Sequence, residues 1–455
     1  REVQAEVEAQ ESRNDHDGHS SLTKNFSSDV IIDWLNMQLD MLRVPLAAGT
    51  GSQAPDRAQS YCGIAAYEAV VPGMRGYESL DGQLIDFPRM PHTENGKAYH
   101  WGASANAALA YMNRSLFPTT SATNKTNMDN LENTLQSLYA SEVSNATLQR
   151  SINFGREVAR RVFEWAAADG TAGPFLPYVP TPAFIGPAFW VQSVTPGPPI
   201  VLNTTPPNNP QAVNPYASQY RLMVPGVTRG TAIPPPPPYS TNQYSRFYRM
   251  AKDVYDKSKN QTADQTAMAI YTRDNPGYPG GGAYVALLSQ VIQQATCKLD
   301  VAALAYAKVG IGMHEATLIL FTKKYIYNLV RPVTYIRNVI DPTWSTLFPT
   351  PGHPEFPSGH ATTAGAIMTM LTDVFGRRFH FTLDTYPFAG LPPRHYNSFE
   401  HYSREIVDAR VFAGLHYQAT DEKSKWLGEK ISLNILRKVE FLKDKEHHGH
   451  HNDDH

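Results

Sequence analysis

The stretch Lys324-Tyr-Ile-Tyr-Asn-Leu-Val-Arg-Pro332 decides how this chain is organised. Lys324 and Arg331 are seven positions apart. On an α-helix this is close to two turns, so the two cations are predicted to share one helix face, about 10 Å apart along the axis. Pro332 is predicted to end that helix, because proline lacks an amide hydrogen and its ring clashes with the preceding turn. Two cations on one face indicate a site for an anion.

A second motif, Pro357-Ser-Gly-His360, follows a segment that we predict to be a loop as far as Phe356. Ser358 is expected to cap a helix that begins at His360, which places the amides of Gly359 and His360 at the positive end of the helix dipole. Helix starts of this kind bind anions. Gly359 also leaves room for a ligand, because it has no side chain.

A third motif consists of Arg410 and, six residues later, His416, with Gly414 between them. This spacing does not put both side chains on one ideal helix face, so we expect the chain to bend at Gly414 and to turn His416 into the site. An imidazole nitrogen can act there as a nucleophile or as a ligand to the central atom of an oxyanion. With Lys324 and Arg331, the sequence predicts three cations around one helix start.

Composition indicates a globular protein without a polyanionic partner. The chain has 455 residues, 42% of them hydrophobic, and its 40 Lys and Arg balance 42 Asp and Glu to a net charge of -2. This balance gives no reason to expect a nucleic acid or an anionic membrane as partner. No apolar run approaches the roughly 18 residues of a membrane span. Because the chain begins at Arg1 rather than Met, we expect a leader to have been removed and the protein to be secreted or periplasmic.

Helical periodicity dominates both halves of the chain, and sustained β alternation is absent. We therefore predict an all-α protein of two packed helical bundles. The helices are predicted near residues 30–42, 55–70, 102–117, 127–138, 145–169, 244–259, 262–272, 282–295, 299–330, 358–375, 399–413 and 421–442.

Shifts in composition divide the chain into five parts. The predicted parts are a flexible polar tail (1–24), an N-terminal bundle (25–172), an irregular segment rich in Pro and aromatic residues (173–242), a C-terminal bundle with the anion site (243–442) and a His-rich tail (443–455). The irregular segment holds large aromatic residues that a simple linker would not need, so we expect it to pack over the scaffold and to wall an entrance.

Taken together and in this order, the three motifs resemble the signature of the vanadium-dependent haloperoxidases. That family shares its fold and pocket with the type-2 phosphatidate phosphatases and bacterial acid phosphatases. Its signature is Lys, six residues, Arg-Pro, then Pro-Ser-Gly-His, then Arg followed six residues later by His. The stretches Tyr325–Arg337, Gly359–Thr362 and Ala65–Ala69 are also similar to soluble bacterial haloperoxidase-like proteins. The resemblance covers about residues 55 to 435.

This resemblance implies a vanadate cofactor bound axially through His416, with hydrogen peroxide and a halide as substrates. His360 would hydrogen-bond the opposite apical position and act as acid and base, and Lys324 would polarise the bound peroxide. The catalytic residues it implies are His360, Lys324 and His416. The residues that it implies hold the vanadate are Lys324, Arg331, Ser358, Gly359, His360, Arg410 and His416.

Two further positions vary with halide use in this family. They are Phe321, three residues before the motif Lys, and His353, seven before the motif His. A His at the second position resembles enzymes that use bromide and iodide, so the resemblance favours iodide, allows bromide and disfavours chloride. The alternative is that both side chains are ordinary pocket lining.

The chain departs from the family pattern near the third motif. Ala409 stands where a Ser commonly precedes the Arg, and Thr420 stands where an Asp usually follows the His, with Asp421 one place on. A carboxylate partner for His360 or Arg410 is therefore open, and a shifted loop would bring Asp421 in.

Two other candidate metal sites have simpler interpretations. His314 and Glu315 are expected to be a satisfied polar pair inside the bundle, and the histidines of the C-terminal tail a mobile end. Cys62 and Cys297 are compatible with one disulfide or with two thiols.

Two alternative functions use the same residues. A phosphomonoesterase of the acid phosphatase type would use His416 to attack phosphorus and His360 to protonate the leaving group, and vanadate resembles the transition state of that reaction. The third alternative is a non-catalytic oxyanion-binding protein. The oligomeric state, monomer or dimer, and the organic acceptor are left open by the sequence.

Overall fold

A computed structural model describes most of the chain between Ser21 and Lys443. The described residues are 21–48, 50, 55–171, 178, 182–191, 212–274 and 277–443. The predicted N-terminal tail up to residue 20, the His-rich tail from residue 444 and much of the Pro-rich segment before residue 212 lie outside them.

The described residues are mainly helical, which confirms the predicted all-α class. In the N-terminal half the helices are α1 Asp29–Leu42, α2 Pro55–Glu68, α3 Trp101–Leu116, α4 Ala122–Ala140 and α5 Asn145–Ala167. In the C-terminal half they are α6 Arg246–Lys259, α7 Ala263–Tyr271, α8 Gly282–Ala295, α9 Leu299–Tyr327, α10 Pro332–Val339, α11 Gly359–Phe375, α12 Phe399–Phe412 and α13 Gln418–Lys438.

One small antiparallel hairpin was not predicted. Strand β1, Phe381–Leu383, pairs with β2, Arg394–Tyr396, so that Phe381 lies opposite Tyr396. Three residues per strand are too few to show the alternation by which a half-buried strand is recognised in a sequence.

Helix α9 is the central element of the molecule. Its residues are buried almost without interruption from Ala302 to Leu320, as expected for a helix that is apolar on all sides. It packs against α2 of the N-terminal half and against α11 and α13 of the C-terminal half. The buried apolar residues of both halves form one contiguous core. The two bundles are therefore joined through this helix, and the domain boundaries stay a prediction.

The end of α9 differs from the prediction, and so does the position of Arg331. The helix stops at Tyr327, because Asn328 adopts a left-handed conformation (φ 46°) and its amide caps the helix by donating to the carbonyl of Lys324 at 2.8 Å. Arg331 lies in the short extended segment that follows, as the N-cap of α10, and Pro332 begins α10 rather than ending α9. The prediction that Lys324 and Arg331 share one helix face is wrong. The prediction of a loop from the end of α9 to Phe356 is also wrong, because α10 lies within it.

The α11–α13 contact packs the first turn of α11 against the middle of α13. A Cβ atom at Gly428 would lie 1.9 Å from the carbonyl oxygen of Thr362, so the backbones approach more closely than any side chain would allow. This close packing fixes the first turn of α11, where Ser358 and His360 lie, relative to the first turn of α13.

The described part of the Pro-rich segment packs on the chain that follows α9. The amide of Trp190 donates to the carbonyl of Asn328 at 2.8 Å, and that of Val330 donates to the carbonyl of Ala188 at 3.1 Å. Further along, the hydroxyl of Tyr325 donates to the carbonyl of Val213 at 2.6 Å. This agrees with the expectation that the segment covers the scaffold.

His314 and Glu315 make structural hydrogen bonds to backbone groups, but the expected satisfied pair is only partly realised, because the second carboxylate oxygen of Glu315 is buried without a partner among the described residues. A ring nitrogen of His314 lies 3.0 Å from the carbonyl oxygen of Arg221, and a carboxylate oxygen of Glu315 accepts from the amides of Met223 at 2.8 Å and Val224 at 2.6 Å. Among the described residues, no group of three or more His, Cys, Asp or Glu side chains could hold a metal ion.

The structure also describes the two cysteines and the possibility of a membrane span. Cys62 and Cys297 are both free thiols, so the disulfide alternative is not realised. In the described part of the chain, no helix has the length and apolar character needed to cross a membrane.

Candidate functional site

A cavity of about 400 Å³ lies beside α9, next to the start of α11 and the turn that precedes α13. It brings together residues of the second motif, Gly359 and His360, and of the third motif, Arg410 and His416. Those of the predicted site residues that line it are Phe321, His353, Gly359, His360, Arg410 and His416.

Lys324 and Arg331 are buried beside this cavity and are held by carbonyl groups. The Lys324 ammonium donates to the carbonyl of Pro354 at 2.8 Å, and the Arg331 guanidinium donates to the carbonyls of His353 at 2.9 Å and Leu415 at 3.1 Å. Burial lowers the pKa of Arg331 to about 10, and burial together with the Arg331 charge lowers the pKa of Lys324 well below its usual range. Both cations therefore gain free energy when an anion binds.

Arg410 provides the clearest sign of a missing anion. It ends α12 with its side chain buried, and neither its Nε nor its Nη1 has a hydrogen-bond partner among the described residues. Burial lowers its pKa. A buried charged donor without a partner is costly, and an oxyanion in the cavity would supply acceptors for it.

His416 reaches the cavity because the chain turns at Gly414, which has φ +78° as the predicted bend requires. The Nδ1 atom of His416 lies 3.0 Å from a carboxylate oxygen of Glu355. That same oxygen accepts from the amide of Tyr417 at 3.1 Å and from the hydroxyl of Thr420 at 2.6 Å. A carboxylate accepts only, so Nδ1 carries the hydrogen and the Nε2 lone pair is left to face the cavity.

The electrostatic setting keeps His416 neutral. Burial, and after it the charges of Arg331 and Lys324, lower the pKa of His416 well below its usual value. A neutral imidazole with a free Nε2 can act as a ligand or as a nucleophile.

Glu355, and not Asp421, is the carboxylate partner of His416. The nearest carboxylate oxygen of Asp421 is 3.8 Å from the Nδ1 atom of His416, beyond hydrogen-bonding distance, whereas Glu355 is in direct contact. The sequence analysis missed Glu355, because it considered a carboxylate partner only for His360 or Arg410 and sought it after the third motif, whereas Glu355 lies three residues before Ser358.

Helix α11 presents the second motif as predicted, except that it begins at Gly359 rather than at His360. The side chain of Ser358 caps the helix by accepting from the amide of Ala361. A Cβ atom at Gly359 would meet nothing within 4 Å, so this helix start opens onto free space. An anion could approach the amides there without steric hindrance.

His360 is paired with a carboxylate that the sequence analysis did not find. Its Nε2 atom lies 3.1 Å from a carboxylate oxygen of Asp274, and its carbonyl accepts from the hydroxyl of Tyr284 at 3.2 Å. Burial raises the pKa of Asp274, but His360 and Arg410 outweigh it, and the net shift is downward. The pair holds a proton-transfer group at the cavity wall.

The two positions proposed for halide choice contact each other. The rings of Phe321 and His353 meet edge to face with centroids 5.4 Å apart. The Nη2 atom of Arg331 lies 3.0 Å from Nδ1 of His353. Arginine only donates, so Nδ1 is the acceptor and Nε2 carries the hydrogen; the carbonyl of Pro354, 3.2 Å from the same Nδ1, is then a contact without a shared hydrogen.

These groups fit a tetrahedral or trigonal oxyanion. Three buried cations, a helix start with open space and an imidazole with a free Nε2 converge on one cavity, and one of the cations has unused donors. Both fork-shaped and point-charge donors are present, which suits an ion with several equivalent oxygens.

The chain is similar to known proteins in sequence and in fold. Residues 304–444 match the model of the VCPO second helical-bundle domain. The chain is similar in structure to a bacterial vanadium-dependent iodoperoxidase, with a TM-score of 0.79 and 24% identity over 94% of this chain and 100% of the other. No curated protein matches the chain.

The structure also resembles a bacterial vanadium-dependent chloroperoxidase. Its apo form has a TM-score of 0.60 and 16% identity over 88% of this chain and 97% of the other. Its holo form has a TM-score of 0.61 and 16% identity over 94% and 95%. The family model spans every motif residue from Lys324 to His416, and the fold is that of the bacterial vanadium-dependent haloperoxidases.

Proposed function

We propose that this chain, with its vanadium haloperoxidase fold, binds vanadate and catalyses the oxidation of a halide by hydrogen peroxide to hypohalous acid. The solved structures that match nearly the whole chain are named as a vanadium-dependent iodoperoxidase and a vanadium-dependent chloroperoxidase. The same three motifs and the same cavity support the proposal from within the chain.

The observation that carries the proposal is the state of His416. Glu355 holds its Nδ1–H at 3.0 Å, so the Nε2 lone pair faces a cavity surrounded by Lys324, Arg331 and Arg410. A neutral ligand nitrogen beside three cations suits a metal oxyanion, because the nitrogen binds the central atom while the cations neutralise the oxygens.

When bound, vanadate supplies a Lewis-acidic centre that activates hydrogen peroxide towards attack by a halide. The chain holds and polarises the bound species. Lys324 and the guanidinium groups of Arg331 and Arg410 stabilise negative charge on its oxygens, in a buried site where each interaction is stronger than in water. His360, oriented by Asp274, would accept and return a proton at the wall of the same cavity.

We propose iodide as the preferred halide, with bromide second. His353 offers a neutral N–H next to the edge of the Phe321 ring, rather than a full charge. A large, weakly hydrated anion loses less solvation energy on entering such a setting than a small one. The name of the iodoperoxidase with a similar structure supports iodide.

The test is vanadate-dependent halide oxidation by the full chain. Metal-free protein is incubated with orthovanadate and hydrogen peroxide, and oxidation of iodide, bromide and chloride is followed in parallel with hydrolysis of p-nitrophenyl phosphate. We expect oxidation that requires vanadate, fastest with iodide. Phosphate ester hydrolysis that vanadate inhibits, without halide oxidation, would instead establish the phosphomonoesterase alternative.

His416→Ala is expected to abolish vanadium retention after gel filtration, measured as bound vanadium per chain. His401, an exposed histidine on α12, provides the matched control, and His401→Ala should retain the wild-type vanadium content. Full retention by His416→Ala would contradict the assignment of the ligand.

A further inference from the structure

The cavity is larger than its oxyanion and halide need. It has a volume of about 400 Å³, whereas one water molecule takes up about 30 Å³ in the liquid. An oxyanion, a peroxide and a halide together therefore fill only part of it. Cavities from about 300 Å³ upwards are the usual size of sites for small organic ligands.

One wall of the spare space is a face of α9. Met313, Thr317, Leu320 and Phe321 line the cavity at spacings of three or four residues, and Lys324 continues the same face one turn on. Residues at this spacing lie above one another on a helix. A largely apolar strip thus runs outward from the cationic centre, over about 16 Å at 1.5 Å per residue.

The opposite wall is a short segment that is fixed at several points. The amide of Val213 donates to the carbonyl of Gly352 at 2.9 Å, and the carbonyl of Val213 accepts from Tyr325 at 2.6 Å. The carbonyl of Asn214 accepts from the amide of Ala217 at 3.4 Å. Val213, although apolar, is 43% exposed, and Asn214 has a left-handed backbone (φ 49°). Both line the cavity.

The polar groups of this outer part select a neutral ligand. The amide of Asn214 can donate to and accept from a hydroxyl group. Asp56 also lines the cavity, and its carboxylate disfavours an anionic organic molecule close to it. The walls thus combine apolar surface, a hydroxyl-binding amide and an acidic group.

We infer that the space between the α9 face and the Val213–Asn214 segment binds the organic acceptor of the halogen, a neutral, electron-rich aromatic or enolic molecule of one or two rings with a hydroxyl group. This inference rests on the proposed function. The acceptor ring lies on the strip that ends at Lys324, so the oxidised halogen is transferred to it inside the cavity.

The transfer step is balanced without a further reagent. A ring carbon of the acceptor attacks the halogen of the hypohalous acid, the carbon–halogen bond forms, and the oxygen–halogen bond breaks with its electron pair going to oxygen. The ring carbon then loses its proton, which combines with the hydroxide to give water. The products are one halogenated acceptor and one water molecule.

Binding is tested first, with 2-naphthol as the probe and the vanadate-loaded full chain in the absence of peroxide and halide. Ligand-observed NMR gives the dissociation constant. Val213→Asn replaces apolar by polar surface without adding charge, and Asn214→Gly removes the amide while keeping the left-handed backbone. We expect each to weaken binding about fivefold to tenfold, the loss of one apolar contact or one hydrogen bond.

Leu433→Asn is the matched control. Leu433 is 41% exposed, close to the 43% of Val213, but it lies on α13 away from the cavity. This variant should bind 2-naphthol like the wild type. Absence of saturable binding to the wild type, or equal affinity in Val213→Asn, would overturn the inference.

Turnover provides the second readout. Iodide and peroxide are supplied with 2-naphthol and with a phenol coupled to agarose beads, which is too large for the cavity and traps free hypoiodous acid. The wild type should iodinate 2-naphthol in preference, and Val213→Asn should shift iodine to the beads while forming triiodide at the wild-type rate when no acceptor is present. A partition equal to that of reagent hypoiodous acid would contradict in-cavity transfer.

The two hypotheses fail in different ways. If no variant, including the wild type, forms triiodide, the proposed function is wrong, and 2-naphthol binding still decides whether the subsite exists. If triiodide forms and 2-naphthol does not bind, the subsite alone is wrong.

Discussion

At the scale of single residues, Glu355 controls the chemistry of His416 without reaching the cavity itself. Its buried carboxylate takes hydrogen bonds from His416, from the Tyr417 amide and from the Thr420 hydroxyl, so it has one fixed position. It thereby sets which imidazole nitrogen is available to an oxyanion. Burial raises the pKa of Glu355 to about 7, and the hydrogen bonds and the charges of Lys324 and Arg331 oppose this rise.

We predict that Glu355→Leu lowers vanadate affinity about 10–100-fold, the usual effect of removing the partner of a ligating histidine. Glu355→Gln, which keeps an acceptor oxygen, should lose less. Equilibrium dialysis with vanadium analysis measures both. Glu422→Gln, at an exposed position of α13, is the control, and unchanged affinity in Glu355→Leu would refute the role of this carboxylate.

Glu315 gives a residue-scale prediction of pH dependence. Burial raises its pKa from 4.5 to about 8, so between these values the folded protein holds a proton that the unfolded chain releases. The contribution of Glu315 to the free energy of unfolding is therefore greatest below pH 4.5, and this contribution falls as the pH rises towards 8. Glu315→Gln should flatten that part of the profile.

Urea unfolding of Glu315→Gln and wild type at intervals between pH 5 and pH 9 checks this. The amide can still accept from Met223 and Val224, so the fold should be kept. An identical pH slope in both proteins would show that Glu315 does not titrate as its burial requires.

At the scale of helices, the site depends on how closely α11 and α13 approach. Gly428 of α13 faces the carbonyl of Thr362 on α11. Thr362 lies one turn after Ser358, the residue that caps α11. Any movement of α13 relative to α11 also moves Asp421 and the turn that carries His416. The oxyanion site is therefore sensitive to packing at a distance from it.

Gly428→Ala is predicted to lower the free energy of unfolding by about 1–3 kcal/mol, because its methyl group would overpack the contact. It should also weaken vanadate binding, although Gly428 is not in the site. Denaturant unfolding and dialysis measure the two effects. Glu422→Ala, an exposed position of the same helix, should leave both unchanged, and wild-type behaviour of Gly428→Ala would disprove the packing argument.

At the scale of the whole molecule, α9 belongs to both halves. It contacts α2 on one side and α11 and α13 on the other, within one contiguous core. Neither half can lose its packing without exposing this helix. Unfolding of one half alone should therefore be costly.

We predict a single calorimetric transition, which moves as a whole when vanadate binds. At a free vanadate concentration 100 times its dissociation constant, the added stability is about 2.7 kcal/mol. His416→Ala should show a single transition that vanadate no longer moves. Two transitions in the wild type, only one of them shifted by vanadate, would mean that the halves unfold independently.

Local features of the sequence determined most of the helices and several of the residues that line the cavity. Helix α8 occupies the predicted residues 282–295, Ser358 caps α11, and Gly414 makes the bend that was expected from it. These outcomes follow from periodicity, capping and glycine chemistry, which act over a few residues. The secreted or periplasmic location stays a prediction.

Only the tertiary structure decided the partners of the two histidines and the placement of Arg331. Glu355 and His416 are 61 residues apart, and Asp274 and His360 are 86 apart. Arg331 enters the site from the extended segment between α9 and α10, because Asn328 ends the helix early. Contacts of this kind depend on how distant helices pack, and packing is set by the sum of many buried surfaces rather than by any local pattern.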